Sequence, residues 1–164
     1  MLLATIGLLI DNQGRINKKS ENTEDMKLIN HQNEVFSISI SDYMLPFKPD
    51  QYFENNWLKG NIEISSQQTK HFIQLETLQV EELVNLLVWI DQLIDKEKGC
   101  QTIFYFIDPN MKFRLWKRGR TETIRFIYHS EKKNTYSWEM IVNDKNVANL
   151  KKQINEILFQ YTIR

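Results

Sequence analysis

Cysteine is almost missing from this chain. Cys100 is the only one among 164 residues, so no intramolecular disulfide can staple the fold and no cysteine-based zinc site can form. Proline and glycine are scarce as well, at three and five residues. Together with 12% aromatic and 41% hydrophobic residues, that scarcity is the reverse of the mix that keeps chains disordered. Neither sign of charge is in excess: 21 basic and 21 acidic side chains cancel, against the basic surplus expected of a general nucleic-acid binder. Glycine is too sparse for a phosphate-cradling loop, and neither a G-x-S-x-G elbow nor a kinase signature is found. Met1 to Ile10 (MLLATIGLLI) is apolar, but it falls short of the roughly 20 residues that span a bilayer. It also lacks the basic lead and small-residue cleavage site of a signal peptide.

What is present is a chain of one-domain length with enough apolar residues for a continuous core. Residues 1–25 are expected to be a loosely attached arm or an upstream extension, with Met26 as an alternative start and residues 26–164 as the domain. An extra short strand or helical turn is the other reading of that arm. From Val35, Phe36, Ile38 and Ile40 alternate with Ser37, Ser39 and Ser41, the period of a half-buried strand. Prolines at 46 and 49 break it. Trp57 to Ile64 alternates again, a polar turn follows at residues 65–69, and His71, Ile73 and Leu75 return as the second strand of a hairpin. The period then lengthens. Val80, Leu83, Val84, Leu87, Ile90 and Ile94 predict an amphipathic helix, with Thr77 as its cap, Lys96 and Lys98 at its C-terminal end and Gly99 just beyond.

Ile103 to Ile107 (IFYFI) is continuously apolar, which predicts a central strand covered on both faces. Asp108-Pro109-Asn110 is a turn, and strands around Phe113, Phe126 and Trp138 follow through short connections as an antiparallel meander. Asn143 or Asp144 caps a last helix that buries Val147, Leu150, Ile154, Ile157, Leu158 and Tyr161. The expected fold is α+β: a twisted antiparallel sheet of six to eight strands with two amphipathic helices packed on it.

Candidate chemistry is thin. His31, His71 and His129 are far apart and none belongs to a ligand-spaced pair, so no metal is expected. Asp91 and Asp95 lie one turn apart on the first helix and Glu81 and Glu82 lie near its start, beside or on the solvated face if the apolar stripe is as read. Charge is unevenly spread. Residues 76–98 hold six acids against two lysines, a local −4, whereas residues 111–133 hold eight bases against two acids, a local +6. Bases interleaved with Trp116 and Phe126 suit RNA, but Lys and Arg on an exposed sheet also block edge pairing. Bipolar charge fits steering toward a protein of defined polarity better than toward a phosphate polymer.

Five short stretches, in order, carry a resemblance. They are Met26-Lys27-Leu28-Ile29-Asn30, Tyr43-Met44-Leu45-Pro46, Glu54-Asn55-Asn56-Trp57-Leu58, the helix start from Thr77 to Leu83, and Phe106-Ile107-Asp108-Pro109-Asn110-Met111-Lys112-Phe113. With the helix ending at Tyr161, the chain from Met26 resembles the WapI family of bacterial immunity proteins. Glu54, Leu45 and Asp108 depart from the expected aspartate, phenylalanine and glutamate while keeping charge or apolar character.

The resemblance implies a cytoplasmic antidote that binds and occludes the toxic C-terminal domain of a secreted polymorphic toxin, typically a tRNA-cleaving nuclease. Occlusion needs no catalytic residue, cofactor or metal. The toxin-binding residues expected first are Glu81, Asp91 and Asp95, acids able to mimic phosphates in a basic cleft, followed by Asp108 and Asn110 at a hairpin tip. Two other classes of function stand beside this one: an RNA-binding module using the basic residues 111–133, and a small hydrolase assembled from distant carboxylates and His129.

Overall fold

Alternation of apolar and polar residues builds the first half of the chain, as the computed structural model shows for the residues it describes, 24–51, 54–95 and 101–163. Strands β1 (Glu24–Ile29), β2 (Val35–Tyr43), β3 (Trp57–Ser65) and β4 (Lys70–Gln79) form an antiparallel sheet in sequence order. Register places Leu28 beside Phe36, Phe36 beside Ile64, and Ile38 between Met26 and Ile62, so these side chains share one buried face. Strand β1 begins at Glu24, so the ladder includes two residues that the expected boundary assigned to the arm, and Met26 is a core residue. Ladder slips between Ile40 and Asp42 and between Leu58 and Gly60 mark bulges flanking Gly60. A Cβ at Gly60 would stand 2.2 Å from the Ser39 carbonyl oxygen, which is why glycine occupies this crossing.

Helix α1 (Val80–Ile94) follows β4 without a loop. Its N-cap is Gln79 rather than Thr77, because residues 78 and 79 are still paired with Leu58 and Trp57 in the ladder. The Glu82 carboxylate reaches back to accept the Gln79 N–H at 2.8 Å. The buried stripe is also rotated from the expected one. It runs through Val80, Leu83, Leu86, Trp89 and Ile90, leaving Val84 37% and Ile94 41% exposed. Trp89 accounts for the rotation: its indole packs 6.0 Å from the Phe104 ring and donates its N–H to the Gln101 carbonyl at 2.7 Å. Asp95 ends the helix, and Lys96, Lys98, Gly99 and Cys100 lie outside the described residues.

A second antiparallel sheet contains β5 (Ile103–Tyr105), β6 (Met111–Arg118), β7 (Thr121–His129) and β8 (Thr135–Ile141), again in sequence order. The apolar IFYFI stretch is therefore not a central strand. It supplies a three-residue edge strand, with Tyr105 and Ile107 exposed. The chain turns just beyond, with the Met111 N–H on the Asp108 carbonyl, and the Ile107 N–H goes to the Glu82 carboxylate of α1 rather than to another strand. Gly119, at φ +61°, supplies the left-handed residue of the tight β6–β7 turn. Helix α2 (Asp144–Gln160) is capped by Asn143, whose side chain accepts the Asn146 N–H at 2.8 Å. It buries Val147, Leu150, Ile154 and Ile157, with Tyr161 just past its end.

The two sheets meet at Phe36. Its ring lies 6.0 Å from Phe113, 4.8 Å from Phe126 and 5.3 Å from Trp138, so the inner faces share one aromatic cluster. Trp138 donates its indole N–H to the Glu34 carbonyl, and Asn30 donates to the Glu139 carbonyl, stitching the β1–β2 turn to β8. The fold is α+β, as expected; among the described residues it has eight strands and two helices, and the strands divide into two four-stranded sheets. The division falls at α1, which interrupts strand succession between β4 and β5.

Candidate interaction surfaces

Helix α1 does not present its acids as a uniform solvated face. Glu82 is 6% exposed, although the sequence places it at the solvated side. Its two oxygens accept the N–H groups of Ile107 and Gln79, so it joins α1 to the end of β5. Burial pushes this carboxyl above the ordinary glutamate value, against the opposing effect of the two N–H donors, and the charge of Asp108 adds to the rise. Glu81 is half-buried rather than exposed. One of its oxygens accepts from the Asn56 side chain at 2.7 Å, and the other is buried without a hydrogen-bond partner. The cause is the short 3-10 turn Glu54–Asn56, which brings fully buried Asn56 against the start of α1.

Asp91 and Asp95 are exposed as expected. Asp91 is ion-paired with Lys151 of α2. Ten residues separate Glu81 from Asp91, about 15 Å along a helix axis. Asp108 and Asn110 lie in the β5–β6 connection, where the Asp108 carboxylate accepts the Asn110 N–H at 2.8 Å and the Asn110 carbonyl accepts the His129 N–H at 3.0 Å. Both line a shallow groove of about 390 Å³ with Gln74, Thr77, Tyr128 and Glu131. Burial, with Asp108 and Glu131 nearby, pushes the Tyr128 phenol above its usual value. The five sequence-derived residues thus do not form one site: Asp108 acts on Glu82 at one end of α1, and Asp91 with Asp95 stand at the other.

The outer face of the second sheet is a separate surface. Register sets Arg114 beside Arg125 and Arg125 beside Glu139, while Trp116, Thr123 and Ile141 form the next row. The Arg125 guanidinium donates to Glu139 at 2.6 and 3.0 Å. Arg114 and Arg125 stand over the Trp116 ring, 4.7 and 5.5 Å from its centroid. Trp116 is 39% exposed, whereas Phe126, its supposed partner on a stacking surface, is fully buried beneath Phe36 on the opposite face. Odd and even positions of β6 and β7 were the available signal for that separation.

His71 packs against the Tyr136 ring, and His129 Nδ1 lies 3.0 Å from the Thr135 hydroxyl. Among the described residues no three His, Cys, Asp or Glu side chains are placed to hold a metal ion. No described helix is long and apolar enough to cross a membrane.

The immunity protein WapI-like family matches residues 27–162, from within β1 to just past α2. The chain belongs to the WapI-like immunity protein family. No curated protein matches it. Family membership supports a role in toxin immunity, exercised by binding a cognate toxin protein. In this immunity protein several residues that carry the resemblance hold the scaffold together. The Asn55 side chain binds both the N–H and the carbonyl of Lys48, fixing the loop after β2. Asn56 ties the same segment to Glu81, and the Tyr43 hydroxyl donates to the Thr162 carbonyl at 2.5 Å.

Proposed function

We propose that this protein binds the toxic C-terminal domain of a cognate secreted bacterial toxin in the cytoplasm and occludes it, and that the toxin is a tRNA-cleaving nuclease. The observation that carries this reading is the family match over residues 27–162. Occlusion asks for a preformed surface, and two are available: the acidic end of α1 at Asp91 and Asp95, and the Trp116 face of the second sheet. Neither requires a catalytic step from the immunity protein itself.

The test is co-expression with the toxin domain encoded beside its gene. Growth should be restored, the two proteins should co-elute on gel filtration, and tRNA cleavage by the purified toxin domain should stop at equimolar inhibitor. Persistent growth arrest and separate elution would sink the reading.

A further inference from the structure

The outer face of the second sheet has the composition of an anchoring site. Trp116 lies on its central strand β6, Tyr105 at the edge strand is 60% exposed, and Ile103, Ile127 and Ile141 are partly exposed on the same face by register. Trp, Tyr and Arg are the residues in which binding energy at protein interfaces concentrates. The ring is also held in place. Arg125 is fixed by Glu139, and both guanidinium groups lie over the Trp116 ring, so little side-chain freedom is left to lose on binding.

Charge decides the partner. Lys112, Arg114, Arg118 and Arg125 share this face by register, and Glu139 is the acid placed among them. Glu139 is already engaged by Arg125, while among the described residues no carboxylate pairs with Arg114. The surface is therefore cationic along its two central strands, with Trp116 among the bases and Ile103, Tyr105 and Ile141 on the flanking strands, complementary to an acidic protein surface that carries apolar side chains. A nucleic acid fits it less well. Glu139 sets a negative charge within the face, and Phe126 is buried on the opposite side, out of reach of a stacking base.

We infer that the toxin domain docks on the outer face of the second sheet, with Trp116 as the anchor and Arg114 as the charge contact to an acidic patch on the toxin. This inference rests on the reading that the protein binds a toxin domain at all.

The experiment is titration calorimetry of the full chain against the catalytically inactivated toxin domain encoded beside its gene. The variants are Trp116→Ala, Arg114→Glu and the pair Asp91→Asn with Asp95→Asn. Trp116→Ala and Arg114→Glu should each weaken binding by about thirtyfold or more. The Arg114→Glu loss should shrink as salt rises, because an exposed charge is screened. The α1 pair should bind as the parent does. Circular dichroism and thermal unfolding of each variant check that the fold is retained, and both central substitutions are at exposed positions. If the parent binds and these two variants bind equally well, or if only the α1 pair loses affinity, the docking face is wrong and the toxin reading stands. If the parent fails to bind, both fall. A mobility shift with tRNA at low salt that disappears on Trp116→Ala would also overturn the inference, assigning the face to RNA.

Discussion

The carboxylate of Glu82, inside α1, accepts the backbone N–H of Ile107, at the end of β5, while its other oxygen accepts the N–H of Gln79 at the head of the helix. One buried side chain thus caps a helix and ties it to the segment that follows a strand. Glu82→Gln keeps the shape but leaves one of these two N–H groups facing an amide NH₂. The expected cost is about 1–3 kcal/mol, the penalty of a buried donor without an acceptor. Urea denaturation of the two proteins measures it, and an unchanged midpoint would show that the pairing contributes nothing.

The same residue predicts a pH dependence. Burial holds its carboxyl above the ordinary value of 4.5 in the folded chain, so folding takes up a proton between the two values. The stability this titration contributes is full below pH 4.5 and is lost as pH rises through the raised folded value. Glutamine at this position does not titrate. The stability of the parent relative to Glu82→Gln should therefore be greatest below pH 4.5 and should decline toward neutrality. Paired denaturation curves across that range read the difference, and groups whose titration the substitution leaves unchanged cancel from it. A difference that stays flat, or grows with pH, contradicts the account.

Phe36 brings the first sheet into the buried aromatic cluster of Phe113, Phe126 and Trp138 in the second. Phe36→Ala removes a fully buried ring that packs on Phe113, Phe126 and Trp138 and should destabilise by about 3–5 kcal/mol. The near-ultraviolet circular dichroism of the cluster should weaken at the same time, since Trp138 loses its stacked neighbour. Loss of stability without that spectral change would place the effect elsewhere than at the joint between sheets.

Much of this architecture was legible because strands and helices write their period into the sequence. Phe36, Ile38 and Ile40 declare their shared face by alternation, and the Asn143 cap and the stripe of α2 follow the helical repeat. What misled was information carried by partners distant in sequence. The run from Ile103 to Ile107 looks central, yet α1 lies at its end and takes the hydrogen bond another strand would need. Glu81 and Glu82 look solvated on a helical wheel, but Asn56, Gln79 and Ile107 bring polar groups to them. Leu86 and Trp89 displaced Val84 and Ile94 from the core because an indole reaches further than an aliphatic side chain. The bipolar charge was plain in the composition of the two segments. Which bases share a face with Trp116 required the strand register.

Two glycines separate steric from conformational need, and substitution should tell them apart. Gly60 lies against β2, where an added Cβ would stand 2.2 Å from the Ser39 carbonyl oxygen and 3.1 Å from Ile40 Cδ1. Backbone cannot swing aside as a side chain can, so Gly60→Ala must spread β2 from β3, at about 1–3 kcal/mol or more. Gly119 faces open space, with nothing within 4 Å of an added Cβ, but its φ of +61° is left-handed. Gly119→Ala should cost about 1–2 kcal/mol from backbone strain alone. Asparagine discriminates between the two causes, because it tolerates left-handed backbone yet still carries a Cβ. Gly119→Asn should recover part of the loss seen with alanine, whereas Gly60→Asn should be at least as damaging as Gly60→Ala. Thermal unfolding of the four variants measures both contrasts, and rescue by asparagine at residue 60 would overturn the steric explanation there.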